Sequence, residues 1–236
     1  MNYIKHICEP EKLLLCWQAP NDGSRYVVAE LYRSPEGKYA LKYLKDTADF
    51  KEAQKLGFTM YPAFRDREAL HDSGVLESFI GRIPPRSRND FKEYLQNFRI
   101  HESVATSVSD FALLGYTGAK LPSDGFSIIN PLENFCIPGE FLIELVGTRY
   151  IEDFDLKTVQ IGDTVELVGE VHNKYDRQAI FALSKGQKIG YISRWQTNIF
   201  HKWIKDGNIS SPIIIERVNG TKNRPLIYIF VQLLPK

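Results

Sequence analysis

Apolar and polar residues follow two different rhythms along this chain. In the first half, "RYVVAELYR" (25–33) and "KYALKYL" (38–44) are rich in Tyr, Val and Leu and flank the turn "SPEG", which predicts a β-hairpin. Helical spacing follows in "DTADFKEAQKLGF", where Asp46 or Thr47 can cap the start and Gly57 can end it. A short helix is expected in "SGVLESFIGRIPP", halted by Pro84-Pro85. Another is expected in "SRNDFKEYLQNF" (87–98), with Phe91, Tyr94, Leu95 and Phe98 on one face. A fourth, "SVSDFALLGYTG", ends near Gly115 or Gly118. The segment 121–139 is rich in Pro, Gly, Asn and Ser and reads as a linker.

Beyond the linker the period shortens. "FLIELVG" (141–147), "TVELVGEV" (164–171), "AIFAL" (179–183), "KIGYI" (188–192), "PIIIERV" (212–218) and "PLIYIFVQLL" (225–234) are strand-like. One helix, "SRWQTNIFHKWIKDG" (193–207), interrupts them; Trp195, Ile199 and Trp203, with Phe200 and Ile204 beside them, form an apolar stripe suited to core packing. Many short strands with one helix predict a small, partly open β-barrel, and the whole chain reads as α+β.

Charge changes this picture more than composition does. The 236 residues carry a net charge of only +1, so the molecule as a whole is no polyanion trap. Residues 171–236, however, hold eleven Lys/Arg against three Asp/Glu, while residues 140–170 hold eight acids against two bases. The +8 segment suits a polyanionic partner, or is a solvated surface that happens to be basic. Three scattered cysteines and five histidines show no disulfide framework and no zinc-ligand spacing. The start lacks a signal-peptide pattern and no apolar run is long enough to span a membrane, so the expected location is the cytoplasm.

Three short stretches bear on chemistry. "GTRYI" (147–151) ends a strand with an Arg-Tyr pair; "HNKYDRQAI" (172–180) is a turn entering a strand; "GQKIGYISR" (186–194) sets Gly, Lys, Gly, Tyr and Arg around a turn and strand. Asn173 and Asp176 are ordinary turn residues that cap local backbone groups. Tyr175 and Arg177 are not so simply explained by the turn. Arg and Lys supply phosphate contacts, Tyr supplies a face for stacking bases, and a carboxylate such as Asp176 accepts from a sugar hydroxyl but repels phosphate. "IPPRSRNDFKEYL" (83–95) offers a second candidate: Arg86 and Arg88 at a helix mouth could grip phosphate, or Ser87 or Asn89 simply caps the helix and the arginines are solvated. The cap is the favoured reading.

With these blocks in order, residues 140–236 resemble the HIRAN domain: an Arg-Tyr pair, then Asn-x-Tyr-Asp-x-x-Ala-Ile, then Gly-x-x-Ile-Gly-Tyr-Ile. The resemblance implies an OB-like barrel that holds single-stranded DNA, in related proteins by its 3′-hydroxyl end. It implies that Arg149 contacts phosphate with Tyr150 alongside, that Tyr175 stacks on the terminal base, that Asp176 accepts from the 3′-hydroxyl, and that Lys188 and Tyr191 complete the wall, with Asn173 in the turn. Tyr191 stands where some relatives have His. No G-x-x-x-x-G-K-[ST] motif occurs, so no ATPase is expected in this chain.

The first half is similar to the N-terminal subdomain of HipA-type proteins, on "RYVVAELYRSPEGKYALKYL" and "ALLGYTGAKLPSDGFSIINPL". Residues 1–135 are then expected to be a mixed α/β domain that docks a HipA-like kinase, in a toxin–antitoxin setting with a helix-turn-helix antitoxin. Alternatives stay open. The protein could be a DNA-cleaving toxin, with Asp176 and His172 as speculative catalytic groups and Mg²⁺ or Mn²⁺ held by the acidic strip Glu152, Asp153, Asp155, Asp163 and Glu166. It could also be a regulator of the kinase, with an incidental barrel.

Overall fold

The computed structural model describes residues 2–21, 23–121, 123–221 and 224–236. Pro122 in the expected linker and Lys222 in the basic segment lie outside the described residues. The chain forms two compact units, one comprising Cys8–Phe98 with Ala105–Phe135, the other Met1–Ile7, Arg99–Val104 and Cys136–Lys236. Among the described residues no helix is long and apolar enough to cross a membrane.

The first of these units is built on a five-stranded antiparallel sheet. Its strands are β1 (Lys12–Gln18), β2 (Arg25–Arg33), β3 (Tyr39–Tyr43), β4 (Leu70–His71) and β5 (Phe126–Ile129), in the order β4-β3-β2-β1-β5. The hairpin expected from alternation is β2–β3. Strand β1 escapes alternation because it is central: Leu13, Leu14, Leu15 and Cys16 are all buried, so both faces are apolar and period 2 vanishes. Strand β5 corrects the linker reading. Four residues inside the turn-rich segment pair with β1, from Leu14–Ile129 to Trp17–Phe126.

Four helices pack in this unit: α1 (Ala48–Lys55), α2 (Val75–Ile80), α3 (Phe91–Asn97) and α4 (Asp110–Thr117). Thr47 Oγ1 accepts from the Phe50 N–H and Ser109 Oγ from the Ala112 N–H, which satisfies orphan donors at the starts of α1 and α4. Gly118, at φ +72°, ends α4. An aromatic cluster fills the core, with Tyr61 stacked on Phe79 at 4.5 Å and edge-on to Phe126 at 5.0 Å. The buried Arg82, just past α2, donates to both oxygens of Asp124 (2.7 and 2.9 Å) and to the Ala119 and Phe126 carbonyls (2.8 and 2.7 Å), tying α2 to the entry of β5.

The arginines of "IPPRSRNDF" are exposed, as expected, and each also has a local partner. Arg86 donates to Asp110 and to the carbonyls of Ala105 and Val108, and Arg88 pairs with Asp90. The expected cap is displaced: α3 starts after Asp90, with no side-chain capping bond, and not after Ser87 or Asn89.

The other unit holds a six-stranded antiparallel sheet of β6 (Gly139–Glu144), β7 (Thr164–Gly169), β8 (Ile180–Ser184), β9 (Gln187–Tyr191), β10 (Ile213–Thr221) and β11 (Arg224–Leu233), in the order β6-β11-β10-β7-β8-β9. The expected barrel does not close. The two edges meet at a single bridge, where Val146 and Tyr191 exchange hydrogen bonds of 2.9 and 2.8 Å. No ladder extends from it, because the chain leaves extended backbone at Gly147 (φ +74°) and turns into a 3₁₀ turn, Thr148–Tyr150. Helix α5 (Thr197–Asp206) buries Phe200 and Trp203, with Trp203 5.6 Å from Phe141. Trp195 lies before this helix and Ile204 is exposed, so the apolar stripe is core only in part.

Two buried carboxylates of this unit are satisfied by distant segments. Glu140 accepts from the N–H groups of Lys5 and His6 and from His6 Nδ1 (2.9–3.1 Å). Glu216 accepts from the Asn2 N–H and pairs with Arg99 at 3.1 Å. Ile4 and Ile100 form a parallel bridge in the same place. Residues 2–6 and 99–100 are thus fixed by the need to partner buried charge.

Candidate nucleic-acid interface

The three blocks singled out in the sequence lie on connected pieces of the six-stranded sheet. The first block follows β6. Gly147 takes a left-handed conformation, and a Cβ on it would lie 3.2 Å from the Tyr191 ring. Thr148 is buried and donates to the Ile189 carbonyl at 2.8 Å, which fastens the 3₁₀ turn to β9. Arg149 and Tyr150 then face solvent. Tyr150 is 70% exposed, with the Arg149 guanidinium 4.5 Å from its ring centre and hydrogen-bonded to its hydroxyl. This pair offers a flat, cationic surface.

The second block is the turn between β7 and β8. Asn173 Oδ1 accepts from the N–H groups of Tyr175 (2.9 Å) and Asp176 (3.1 Å), an Asx turn that fixes the loop backbone. Asp176 Oδ1 accepts from the Gln178 N–H at 2.8 Å. At the tip Tyr175 is 97% exposed, the most open of the large apolar side chains. His172 and Arg177 are exposed as well.

The third block is β9. Gly190 has φ +155°, and a Cβ there would meet Leu145 Cβ and Thr148 Oγ1 at 2.8 Å, so only glycine lets the Thr148 turn come this close. Lys188 and Tyr191 project beside it, with Lys188 Nζ 4.4 Å from the Phe181 ring and 5.2 Å from the Tyr191 ring.

Glu170, one residue past β7, joins the second and third blocks. Its Oε1 accepts from Lys188 Nζ at 2.7 Å; its Oε2 accepts from the Tyr191 hydroxyl at 3.0 Å and from Asn173 Nδ2 at 2.6 Å. Hydrogen bonds from Lys188 and Asn173, helped by Tyr191, hold the Glu170 carboxyl below the usual glutamate value. Burial acts to lower the Lys188 pKa, but the bonds to Glu170 and Tyr191 carry it above the usual lysine value. The pair is charged at neutral pH. Sequence reasoning passed over Glu170 because it sits at the end of an acidic strand with no distinctive pattern. The one legible signal is its place three residues before the turn asparagine.

The acidic strip does not gather. Asp155 caps the Lys157 N–H at 3.0 Å, and Asp163 pairs with Lys185 at 2.7 Å while accepting from the Gln160 N–H. Among the described residues no group of three His, Cys, Asp or Glu is placed to hold a metal ion.

With this geometry the chain is similar to known proteins in one region. The HIRAN domain model matches residues 138–233. Two solved structures share a likeness. One is the HIRAN domain of human HLTF, 17% identical, covering 40% of this chain and 74% of that one, with a TM-score of 0.33. The other is a protein from Lactobacillus plantarum, 26% identical, covering 39% and 91%, also with a TM-score of 0.33. No curated protein matches. The HipA-like reading of residues 1–135, with its kinase and antitoxin partners, finds no support in these comparisons.

Proposed function

We propose that the HIRAN domain of this protein binds DNA as a single strand and takes it by its 3′-hydroxyl end. The observation that carries this is Tyr175: a large aromatic ring held almost wholly in solvent, at the tip of a turn whose backbone is fixed by Asn173. Such exposure has no folding benefit and suits a stacking platform for a base. Arg149 and Tyr150 supply the neighbouring phosphate and base contacts, and Lys188 and Tyr191 form the wall. Asp176 accepts from the terminal hydroxyl with the carboxylate oxygen not bonded to Gln178. The basic segment 171–236 adds long-range attraction.

The test is fluorescence anisotropy of the full chain with labelled single strands ending in a 3′-hydroxyl or a 3′-phosphate. The hydroxyl end is expected to bind more tightly. Tyr175→Ala should weaken binding roughly tenfold or more, the scale of one lost stacking contact, without lowering the melting temperature. Asp176→Ala should erase the difference between the ends. Equal affinity of the wild-type chain for both ends would overturn end capture.

A further inference from the structure

Glu170 has a second consequence beyond holding its neighbours. We infer that Glu170 is a positioning residue that sets the charge of the strand-end subsite, and so enforces the choice of an uncharged hydroxyl end over a phosphorylated one; this rests on the reading of the site as a binder of strand ends. Its carboxylate contacts three of the proposed site residues, from two blocks: Lys188, Tyr191 and Asn173. Its side chain and that of Lys188 are about a quarter exposed, at 26% and 29%, so the ion pair belongs to the surface a ligand would meet.

The charge count follows. Lys188 is neutralised by Glu170 at 2.7 Å, so the pair adds no net positive charge to this group. A hydroxyl end brings no charge to it. A 3′-phosphate brings up to two negative charges beside a lysine whose charge is already taken. Without the Glu170 charge, Lys188 would be free to grip the terminal phosphate, and the preference would collapse or invert. Glu170 therefore orients Lys188 while keeping it from becoming a phosphate clamp.

The experiment measures the ratio of affinities for 3′-hydroxyl and 3′-phosphate oligothymidylates with the full chain. Glu170→Gln keeps the size but removes the charge and one of the two acceptor oxygens. It should lower the ratio about tenfold, through a gain for the phosphate end. Lys188→Met removes the opposite charge and should shift the ratio the other way, because Glu170 is then unpaired. A Glu170→Gln chain that loses affinity for both ends by the same factor, with the ratio unchanged, overturns the inference and leaves Glu170 a merely structural residue. Should that variant fail to fold, the direction of the Lys188→Met shift decides: no rise in the ratio overturns it. A wild-type chain indifferent to the end chemistry overturns the underlying reading itself before either variant is measured.

Discussion

Arg82 and Glu170 are both single charged side chains that serve several partners, but they differ in what surrounds them. Arg82 is 3% exposed and spends its donors on Asp124 and two carbonyls, so its role is architectural. Arg82→Ala should destabilise the protein by roughly 2–3 kcal/mol, the scale of losing charged hydrogen bonds and leaving carbonyls without their donor, read by denaturant unfolding. Burial alone would push the Asp124 carboxyl up, yet the bonds from Arg82 and the Phe126 N–H, with the guanidinium charge, hold it below the usual aspartate value. A depressed carboxyl contributes stability in full above its unfolded value and loses it as pH falls through the folded one. The gap between wild type and Arg82→Ala should therefore be widest near neutrality and narrow in acid. Neither residue was marked by the sequence. Arg82 sits in a helix tail and Glu170 at a strand end, and each acquires its role only when a distant segment arrives.

At the scale of elements, what was legible was local. Thr47, Ser109 and Gly118 announce helix ends because capping is decided within four residues. The β2–β3 hairpin and all six strands of the second sheet carry their own apolar pattern. Strands β1 and β5 do not: one is buried on both faces between β2 and β5, and the other is four residues inside turn chemistry that become a strand only by pairing with β1. The open sheet has the same origin. Apolar alternation predicts strands, but closure depends on Gly147 and Gly190, whose backbones allow one bridge and a tight turn in place of a ladder. Gly190→Ala should displace the Thr148 turn, costing about 1–3 kcal/mol in a melt or denaturant curve. It should also weaken DNA binding more than that loss explains, because Arg149 and Tyr150 ride on this turn. Retention of full affinity would show that the turn adjusts freely.

At the scale of the molecule, the unit containing the six-stranded sheet is discontinuous in sequence. The family match spans residues 138–233, but the unit also includes Met1–Ile7 and Arg99–Val104. These outlying segments satisfy Glu140 and Glu216, each only 4% exposed. A fragment cut to 138–233 would strip both carboxylates of those partners and of the segments that carry them. It should be less stable than the same unit in the full chain by roughly 2–4 kcal/mol, the scale of the lost hydrogen bonds to charged groups, as measured by chemical unfolding monitored at the tryptophans. Adding a peptide of residues 1–7 should restore part of the loss.

The link between Asn2 and Glu216 spans 214 positions, nearly the whole chain. During synthesis on the ribosome, the segment around Asn2 must therefore wait for Glu216 before its lodging exists. The first unit can condense while the amino terminus is still uncommitted, and the sheet bearing Tyr175 is completed only when β10 and β11 emerge. The proposed hold on a DNA end would then arise only once β10 and β11 are made, so chains stopped short of these strands stay silent towards DNA.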